Sequence, residues 1–260
     1  MPPRSVMQRG AAAANARRRA QTHSSDSART CIRLPEGVSA FAVKKAGVYR
    51  LDIMPYIVGE GNPCADKGAV YFERTFWVHR GVGANNEMYV CPAKTANLPC
   101  PICQWILQQR KDPNADEDTI KSLLPKERQL FNVIDVTSKA EEEKGVQIWD
   151  ISFHLFGKLL DDRLKNQEDG DNFDSFCECE GGKTLRCTFV EKSWNGNSFC
   201  ETSAIDFKNR EADYDPEQTV DAVYCLDDLL IIAGKKDSTG KVPFTYERLK
   251  EIFLQVPEVS

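Results

Sequence analysis

Apolar and polar residues alternate over several short stretches of the chain, and this alternation predicts strands. From residue 46 the sequence reads AGVYRLDIMPYIVG, followed by the aromatic-rich stretch AVYFERTFWVHRGV. Shorter stretches of the same kind read EMYVC, RQLFNVIDV and VQIWDISF. Two more, KTLRCTFVEKSW and NSFCETSAIDF, flank Asn195-Gly196, which predicts a hairpin. The pattern therefore predicts six or seven short strands with alternate side chains on opposite faces.

Other stretches place apolar residues three or four positions apart, which predicts helices. They read QWILQQRKD, DEDTIKSLLPKE, LFGKLLDDRLKNQ and TYERLKEIFLQ, the last with Thr245 as its N-cap and an end before Pro257. Many short strands with few helices favour an α+β, β-rich fold, in which a small curled barrel carries helical insertions.

The composition is that of a globular protein. Charged residues make up 28% and hydrophobic residues 41% of the 260 positions, enough chain to bury a substantial core. No apolar run approaches about 20 residues, so no membrane span is expected, and the N-terminus lacks the apolar core of a secretory signal. We therefore expect a soluble protein of a reducing cytosol, with its ten cysteines as metal ligands and free thiols.

The first 34 residues differ from the rest in charge. They hold seven Arg, no Lys and one acid, Asp26, for a net charge of +6, which leaves −11 on the remainder. Because large apolar side chains are scarce there, residues 1–34 are predicted to form a flexible basic arm. An organellar transit peptide is the alternative interpretation of this Arg- and Ser-rich, acid-poor segment.

One stretch, HRGVGANNEMYVCPAKTANLPCPIC, has the spacing of a metal site. Its ligands, His79, Cys91, Cys100 and Cys103, follow the pattern H-x11-C-x8-C-x2-C. The C-x2-C turn, in which Pro101 fixes the backbone, brings two sulfurs to one ion, and the other two ligands complete a tetrahedron. Four protein ligands leave no open position for water, so we predict one structural Zn²⁺ ion.

Three other interpretations of the cysteines stay open. Cys64 competes for the fourth ligand position. A dithiol redox motif at the CPIC turn lacks the βαβ context that such motifs have. A second metal cluster can be written from Cys177, Cys179, Cys187 and Cys200, although Cys187 and Cys200 fall in strand patterns, where a free Cys packs as a small apolar residue.

Several predicted strands pair an aromatic residue with a nearby base. Single-stranded nucleic acid needs this combination, because bases stack on aromatic faces and cations follow the phosphates. A place in the core is the competing interpretation for each aromatic residue except Trp194, which lies beside a turn. The candidate DNA contacts from this pairing are Arg74, Trp77, Arg80, Lys126, Arg128, Phe131, Phe156, Lys158, Lys192 and Trp194.

No set of residues in the sequence has the pattern of a catalytic site. The chain has three His, of which one is a predicted metal ligand, and it has neither a Walker loop nor a GxGxxG fingerprint. A zinc nuclease or deaminase needs an open metal position and a general base, and the ligand spacing supplies neither. We therefore expect a protein that is not an enzyme.

The chain resembles the single-stranded DNA-binding proteins of tailed bacteriophages, the helix-destabilising proteins of the T-even type. The resemblance covers residues 40–235 and depends on the order of four segments, CPICQWI, KERQLFNVIDV, FHLFGK and FVEKSWNGNSFCETSAI. It implies an OB-fold-like barrel with an inserted zinc-binding subdomain. The implied domains are a core at 35–244, with the zinc subdomain at 76–112, and a C-terminal helix with a short tail at 245–260.

The resemblance also assigns roles to residues. It adds His154 to the DNA contacts and supports Arg128, Phe131, Phe156, Lys158, Lys192 and Trp194. In the family a short basic, hydroxyl-containing N-terminal motif drives cooperative binding. The similar residues here are Arg17, Arg18, Arg19 and Thr22, a looser match because Ala20 and Gln21 intervene.

The predicted function is sequence-independent, cooperative coating of single-stranded DNA in phage replication, recombination and repair. Its expected partners are single-stranded DNA, further copies of the chain along the DNA, and replication and recombination proteins. The expected location is the cytoplasm of the infected bacterial host. The alternative is a zinc-stabilised protein-interaction module in transcription or assembly, which the acidic body favours.

Overall fold

Ten strands and seven helices make up the part of the chain that the structure, a computed structural model, describes: residues 31–168, 170–194, 196–237, 240–242 and 244–254. The strands are β1 (Ala40–Phe41), β2 (Gly47–Met54), β3 (Tyr56–Ile57), β4 (Val70–Tyr71), β5 (Glu73–Val82), β6 (Glu87–Val90), β7 (Lys126–Asp135), β8 (Gln147–Ser152), β9 (Lys183–Trp194) and β10 (Asn197–Asn209). The helices are α1 (Pro92–Ala96), α2 (Pro101–Gln109), α3 (Glu117–Leu123), α4 (Lys139–Glu142), α5 (Gly157–Lys165), α6 (Pro216–Ala222) and α7 (Tyr246–Leu254), with 3-10 turns at Phe153–Leu155 and Leu226–Asp228. The predicted α+β class is confirmed.

Eight of the strands form one mixed sheet. Its order is β1-β8-β7-β2-β9-β10, with β5 paired to β7 and β6 to β5, while β3 and β4 form a separate pair. Strand β1 runs parallel to β8, and the other neighbours are antiparallel. The long β9–β10 ladder starts at Trp194 and Asn197, which confirms the predicted hairpin. Gly196 has φ +78°, a left-handed conformation that favours glycine.

Strand β7 forms a corner of this sheet. Residues 126–131 pair with β5, and residues 132–135 pair on the same edge with β2, while β8 covers the other edge. A strand shared in this way changes the direction of a sheet. Within the described residues the sheet is not closed, because the two-residue β1 and the 13-residue β10 end it without pairing to each other. The predicted curled barrel is therefore not closed in the described residues, and the OB-type fold stays a prediction.

Several helices begin after a polar N-cap residue. Asp116, Ser138 and Asp215 accept hydrogen bonds from first-turn backbone N–H groups of α3, α4 and α6. The predicted cap of α7 is confirmed, since Oγ1 of Thr245 accepts the N–H of Arg248 at 3.1 Å. Helices α1 and α4 were not predicted, because segments of four or five residues show too little of the helical period. Helix α6 was not predicted either, because its sequence PEQTVDA has few apolar residues to mark a period. None of the helices in the described ranges has the length and apolarity to cross a bilayer.

Buried side chains form three hydrophobic clusters. Two of these clusters lie on opposite faces of β7. Phe131 belongs to the first and Leu130 to the second, and neighbouring side chains of a strand point to opposite faces. The first cluster includes Trp149 and lies under α5, and the second packs the segment after residue 30 against the sheet. The third joins Cys91 and its neighbours to Leu249 of α7, so the metal-binding segment and the C-terminal helix share one core.

Residues 31–32, at the end of the predicted arm, belong to the packed body. Cys31 is fully buried, and Ile32 forms an antiparallel bridge with Leu230. Residues 1–30 lie outside the described ranges, so the division into arm, core and tail stays a prediction.

Candidate metal centre and nucleic-acid interface

The four predicted metal ligands meet at one point. His79 comes from β5, Cys91 is the N-cap of α1, and Cys100 and Cys103 lie in the first turn of α2. Their ligand atoms all lie within 4.8 Å of one another. Sγ of Cys91 is 3.5 Å from Sγ of Cys103, and Nε2 of His79 is 3.4 Å from Sγ of Cys100 and 3.6 Å from Sγ of Cys103.

These separations fit a tetrahedral metal ion. With bonds of about 2.3 Å to sulfur and about 2.0 Å to nitrogen, the ligands of one tetrahedron lie about 3.5–3.8 Å apart. The cluster can therefore hold one metal ion. His79, Cys91 and Cys100 are buried, and four protein ligands leave no position for a reacting water. Closed sites with four protein ligands of this kind are typical of structural metal ions.

Hydrogen bonds prepare the ligands for a metal. Nδ1 of His79 lies 2.7 Å from the carbonyl oxygen of Leu123, so Nδ1–H can donate there and leave Nε2 as the ligand atom. Sγ of Cys100 accepts the backbone N–H of Cys103 at 3.5 Å. Hydrogen bonds from the Cys103 and Cys91 side chains lower the pKa of the Cys100 thiol, which favours the thiolate that metals bind.

The remaining cysteines do not join this site. Sγ of Cys64 lies 3.9 Å from the carboxylate of Glu73 and 3.8 Å from the hydroxyl of Thr75, so Cys64 is not a fourth ligand. All ten cysteines fall in the described ranges, where none forms a disulfide and where no second group of three metal-ligating side chains comes together. The alternative of a second cluster is therefore wrong, and Cys187 is a buried residue of β9.

Three candidate DNA contacts are buried and cannot meet a ligand. Phe131 and Phe156 belong to the first hydrophobic cluster, with ring centroids 5.6 Å apart. Nε of the buried Arg74 lies 2.7 Å from Oδ1 of the equally buried Asp227, and its Nη2 donates to the carbonyl of Gly61 at 2.7 Å. The structure corrects all three predictions. The two aromatic residues are core, and Arg74 neutralises a carboxylate whose unpaired burial costs several kcal/mol.

Two other candidates, Arg80 and Arg128, line one wide groove of about 1280 Å³. The segment after residue 30, β1 and parts of β5 to β8 contribute to its walls. The groove has more cations than acids around an apolar lining, a composition that suits phosphates and unpaired bases. Its cations are Arg33, Lys44, Arg80 and Arg128, its acids are Glu87 and Asp150, and its large apolar residues are Ile32, Leu34, Phe41, Met88, Ile148 and Ile231.

The four cations differ in how far their neighbours neutralise them. Nε of Arg128 lies 2.6 Å from Oδ1 of Asp150, and the Arg128 side chain is largely covered. Arg33 is exposed, and its Nη1 lies 3.6 Å from Oδ2 of Asp237. Arg80 and Lys44 are exposed as whole residues and form no ion pair with a described residue. The protein around the Arg80 guanidinium still removes part of its hydration, and this desolvation, together with the charge of Arg128, lowers the pKa of Arg80. Arg80 and Lys44 are therefore the cations most available to phosphate.

Trp77 lies on the other face of the sheet from Arg128. In the β5–β7 ladder Trp77 is opposite Glu127 and Phe76 is opposite Arg128, so alternation separates Trp77 from the groove. The half-buried Trp77 ring is covered in part by Lys94, whose Nζ is 5.7 Å from the ring centroid. Trp77 and Arg80 are only three positions apart in sequence, but they do not form one contact surface.

The five remaining candidates are exposed and lie outside the groove. Lys126 begins β7, His154 and Lys158 lie next to the start of α5, and Lys192 and Trp194 lie at the end of β9. Trp194 is 73% exposed, as its place beside a turn predicts. The exposed candidates thus occupy the groove, the start of β7, the start of α5 and the end of the β9–β10 hairpin.

Two of the groove cations were missed in the sequence. Arg33 falls in the segment interpreted as an arm. Lys44 follows Phe41 in SAFAVKKAG, an aromatic–basic pair like those that mark the other candidates, so this signal was available. The groove itself depends on the parallel pairing of Ala40 with Ile148, a long-range contact without a local pattern. The predicted cooperativity residues, Arg17, Arg18, Arg19 and Thr22, lie outside the described ranges.

No protein-family model matches the chain, and no curated protein matches its sequence. The resemblance to the phage single-stranded DNA-binding proteins therefore stays a prediction that depends on the four segments quoted above.

Proposed function

We propose that this protein is a sequence-independent single-stranded DNA-binding protein without enzymatic activity. The observation that carries the proposal is the groove, where four cations surround an apolar lining. The net charge of the chain is −5, but binding to phosphates depends on local clusters of charge and not on the total.

The apolar lining favours a single strand over a duplex. Leu34 is 37% exposed and Met88 is half-buried, so both present apolar surface in the groove. Unpaired bases can cover this surface, whereas the bases of a duplex stay stacked on each other. Trp194 offers a further surface for stacking, and each base stacked on an aromatic ring contributes roughly 1–3 kcal/mol.

We further propose that the metal is Zn²⁺ and that the open sheet is a variant of the OB-type barrel. Three sulfur donors and one imidazole in a closed tetrahedron are the donor set of structural zinc. The corner at β7 is the kind of bend that curls a sheet. A bound zinc ion links β5 to α2 through His79, the residue next to Arg80, and thereby holds one wall of the groove.

The resemblance supports a biological setting for this activity. In the proposed role the protein coats single strands during phage replication, recombination and repair in the cytoplasm of an infected bacterium. The N-terminal residues Arg17, Arg18, Arg19 and Thr22 contribute cooperativity between neighbouring copies, and replication and recombination proteins are the further partners.

Fluorescence anisotropy with full-length protein tests the proposal. A labelled oligo-dT of about 20 nucleotides should bind at least about tenfold tighter than a duplex of equal length, a difference of about 1.4 kcal/mol that one stacked base can supply. Binding should also quench tryptophan fluorescence, with Trp194 as an exposed reporter. Equal or tighter binding of the duplex overturns the proposal. Absence of binding to either probe favours the protein-interaction module.

A further inference from the structure

A second concavity, of about 560 Å³, lies between the β3–β4 pair, residues 178–180 and α6. Its lining includes Ile57, Val70 and Val220, which are 51%, 63% and 55% exposed. They are three of the nine large apolar side chains that are exposed in the described ranges. Single exposed apolar residues are ordinary, but several around one concavity mark a binding surface.

The concavity is lined by residues from two acidic segments of the chain. Residues 166–182 contain six acids, residues 211–234 contain seven, and neither segment contains a Lys or Arg. The fold joins the two segments, because the N–H of Tyr214 donates to the carbonyl of Cys179 at 3.0 Å and the N–H of Gly181 donates to Oδ1 of Asp213 at 2.8 Å. Two acids, Glu178 and Glu180, therefore line the apolar surface, and the two segments that meet there carry net negative charge.

Few cations neutralise this charge. Glu178 and Glu180 line the concavity, are exposed and form no ion pair with a described residue. Arg210 donates to the backbone carbonyl of Glu178, but its side chain is 2% exposed and its Nε lies 3.7 Å from Oδ1 of Asp52. The two glutamates thus present uncompensated charge to solvent beside Val220.

We propose that this acidic apolar pocket, defined by Ile57, Val70, Glu178, Glu180 and Val220, binds a cationic segment of a partner protein that carries a bulky apolar side chain. The apolar side chain fills the concavity, and Lys or Arg residues on either side meet the glutamates. Nucleic acid and anionic membranes have the wrong sign of charge for this surface. A second copy of the body has the same sign and is repelled. The pocket goes beyond the proposed DNA binding and does not depend on it.

Binding of a designed probe to the full-length protein tests the proposal. The probe is a fluorescent peptide of about 14 residues, built from Lys, Arg, Leu and Ala with its Leu residues on one helical face. The double substitution Ile57→Ser with Val220→Ser should weaken its binding at least about tenfold. Glu178→Gln with Glu180→Gln should weaken it severalfold and flatten its salt dependence. Leu107→Ser, which removes an apolar residue 60% exposed on α2, is the matched control and should have no effect.

Two results overturn the proposal. One is binding that neither double substitution weakens, which places the probe elsewhere. The other is displacement of the probe by an unlabelled peptide of residues 1–30 at equal or lower concentration, which assigns the pocket to the basic arm of the chain. Val70→Ser with Val220→Ser serves as a second apolar variant if Ile57→Ser disturbs the β3–β4 pair, and thermal unfolding checks that each variant is folded.

Discussion

Glu73 is a carboxylate whose surroundings in the folded protein disfavour its ionised form. It is buried on β5, accepts a hydrogen bond from Nε2 of Gln129 at 2.5 Å and another from Oγ1 of Thr75 at 3.2 Å. Burial and the charge of Asp161 raise the pKa of Glu73 from 4.5 to about 7. The folded protein therefore keeps this proton over a pH range in which the unfolded chain has already released it.

Substitution of Glu73 should change how stability depends on pH. Between pH 4.5 and about 7 the wild-type folded state binds one more proton than the unfolded state, so its free energy of unfolding falls as the pH rises and is level above this window. The difference in pKa corresponds to about 3 kcal/mol. Glu73→Gln should therefore be as stable as wild type at pH 4 and up to about 3 kcal/mol more stable at pH 8.

Urea unfolding at pH values from 4 to 8 measures this difference. Glu117→Gln, on the exposed surface of α3, is the control and should show no such change with pH. A Glu73→Gln variant whose stability differs from wild type by the same amount at pH 4 and pH 8 contradicts the assignment.

Single residues differ in how far their roles can be predicted. His79 and the three cysteines were predictable, because soft ligands in this spacing have few other uses. Phe131 and Phe156 were not, because an aromatic residue beside a base occurs in cores as well as on DNA-binding surfaces. For Phe131 the register of β7 decides between the core and the surface, and that register is set by pairing with distant strands.

Helix α7 depends on the metal-binding segment for its place in the fold. Its residue Phe253 meets the edge of the Trp105 ring on α2, with centroids 5.6 Å apart, and the hydroxyl of Tyr246 donates to Oε1 of Gln104 at 2.6 Å. Gly83, in the turn after β5, packs directly against α7. A Cβ atom at Gly83 would lie 2.8 Å from the carbonyl oxygen of Ile252, which is too close for a side chain. Because cysteine ligands and α7 share the third cluster, a bound metal supports both.

Removal of the metal should release α7. A chelator should lower the melting temperature by about 6–12 °C, equivalent to about 3 kcal/mol for a chain of this size. Amide hydrogen exchange should rise in residues 246–254 and in α2 but change little in β9 and β10. Leu249→Ala, which removes a buried contact of α7 without touching a ligand, should raise exchange in the helix while the metal stays bound. Unchanged exchange of α7 in the metal-free protein contradicts this coupling.

Elements were predictable where their period extends over enough residues. The β9–β10 ladder and α7 were predictable. Strand β1 was not, and the residues of β3 and β4 fell inside predicted strands without a sign that they form a separate pair. These short strands nevertheless matter, because β1 contributes to the groove and β3 and β4 border the acidic apolar pocket. Both candidate binding surfaces thus depend on elements that only long-range pairing forms.

At the scale of the whole molecule, the two concavities have opposite charge. The groove carries four cations and two acids, and the acidic apolar pocket carries acids without an exposed compensating base in its lining. Such a division lets an acidic protein attract a polyanion to one region and a cationic partner to another. It also predicts that DNA affinity depends on a few groove cations and not on the net charge.

The salt dependence of oligo-dT binding should report these cations directly. Each phosphate contact on a single strand contributes about 0.7 to the slope of log affinity against log salt, so three or four contacts give a slope of about −2 to −3. Lys44→Gln with Arg80→Gln removes two contacts and should reduce the magnitude of the slope by about 1.4. Lys121→Gln with Lys144→Gln lowers the net charge by the same two units at exposed sites outside the groove and should leave the slope unchanged. If both double variants reduce the slope equally, binding follows the total charge of the protein, and the groove is not the DNA site.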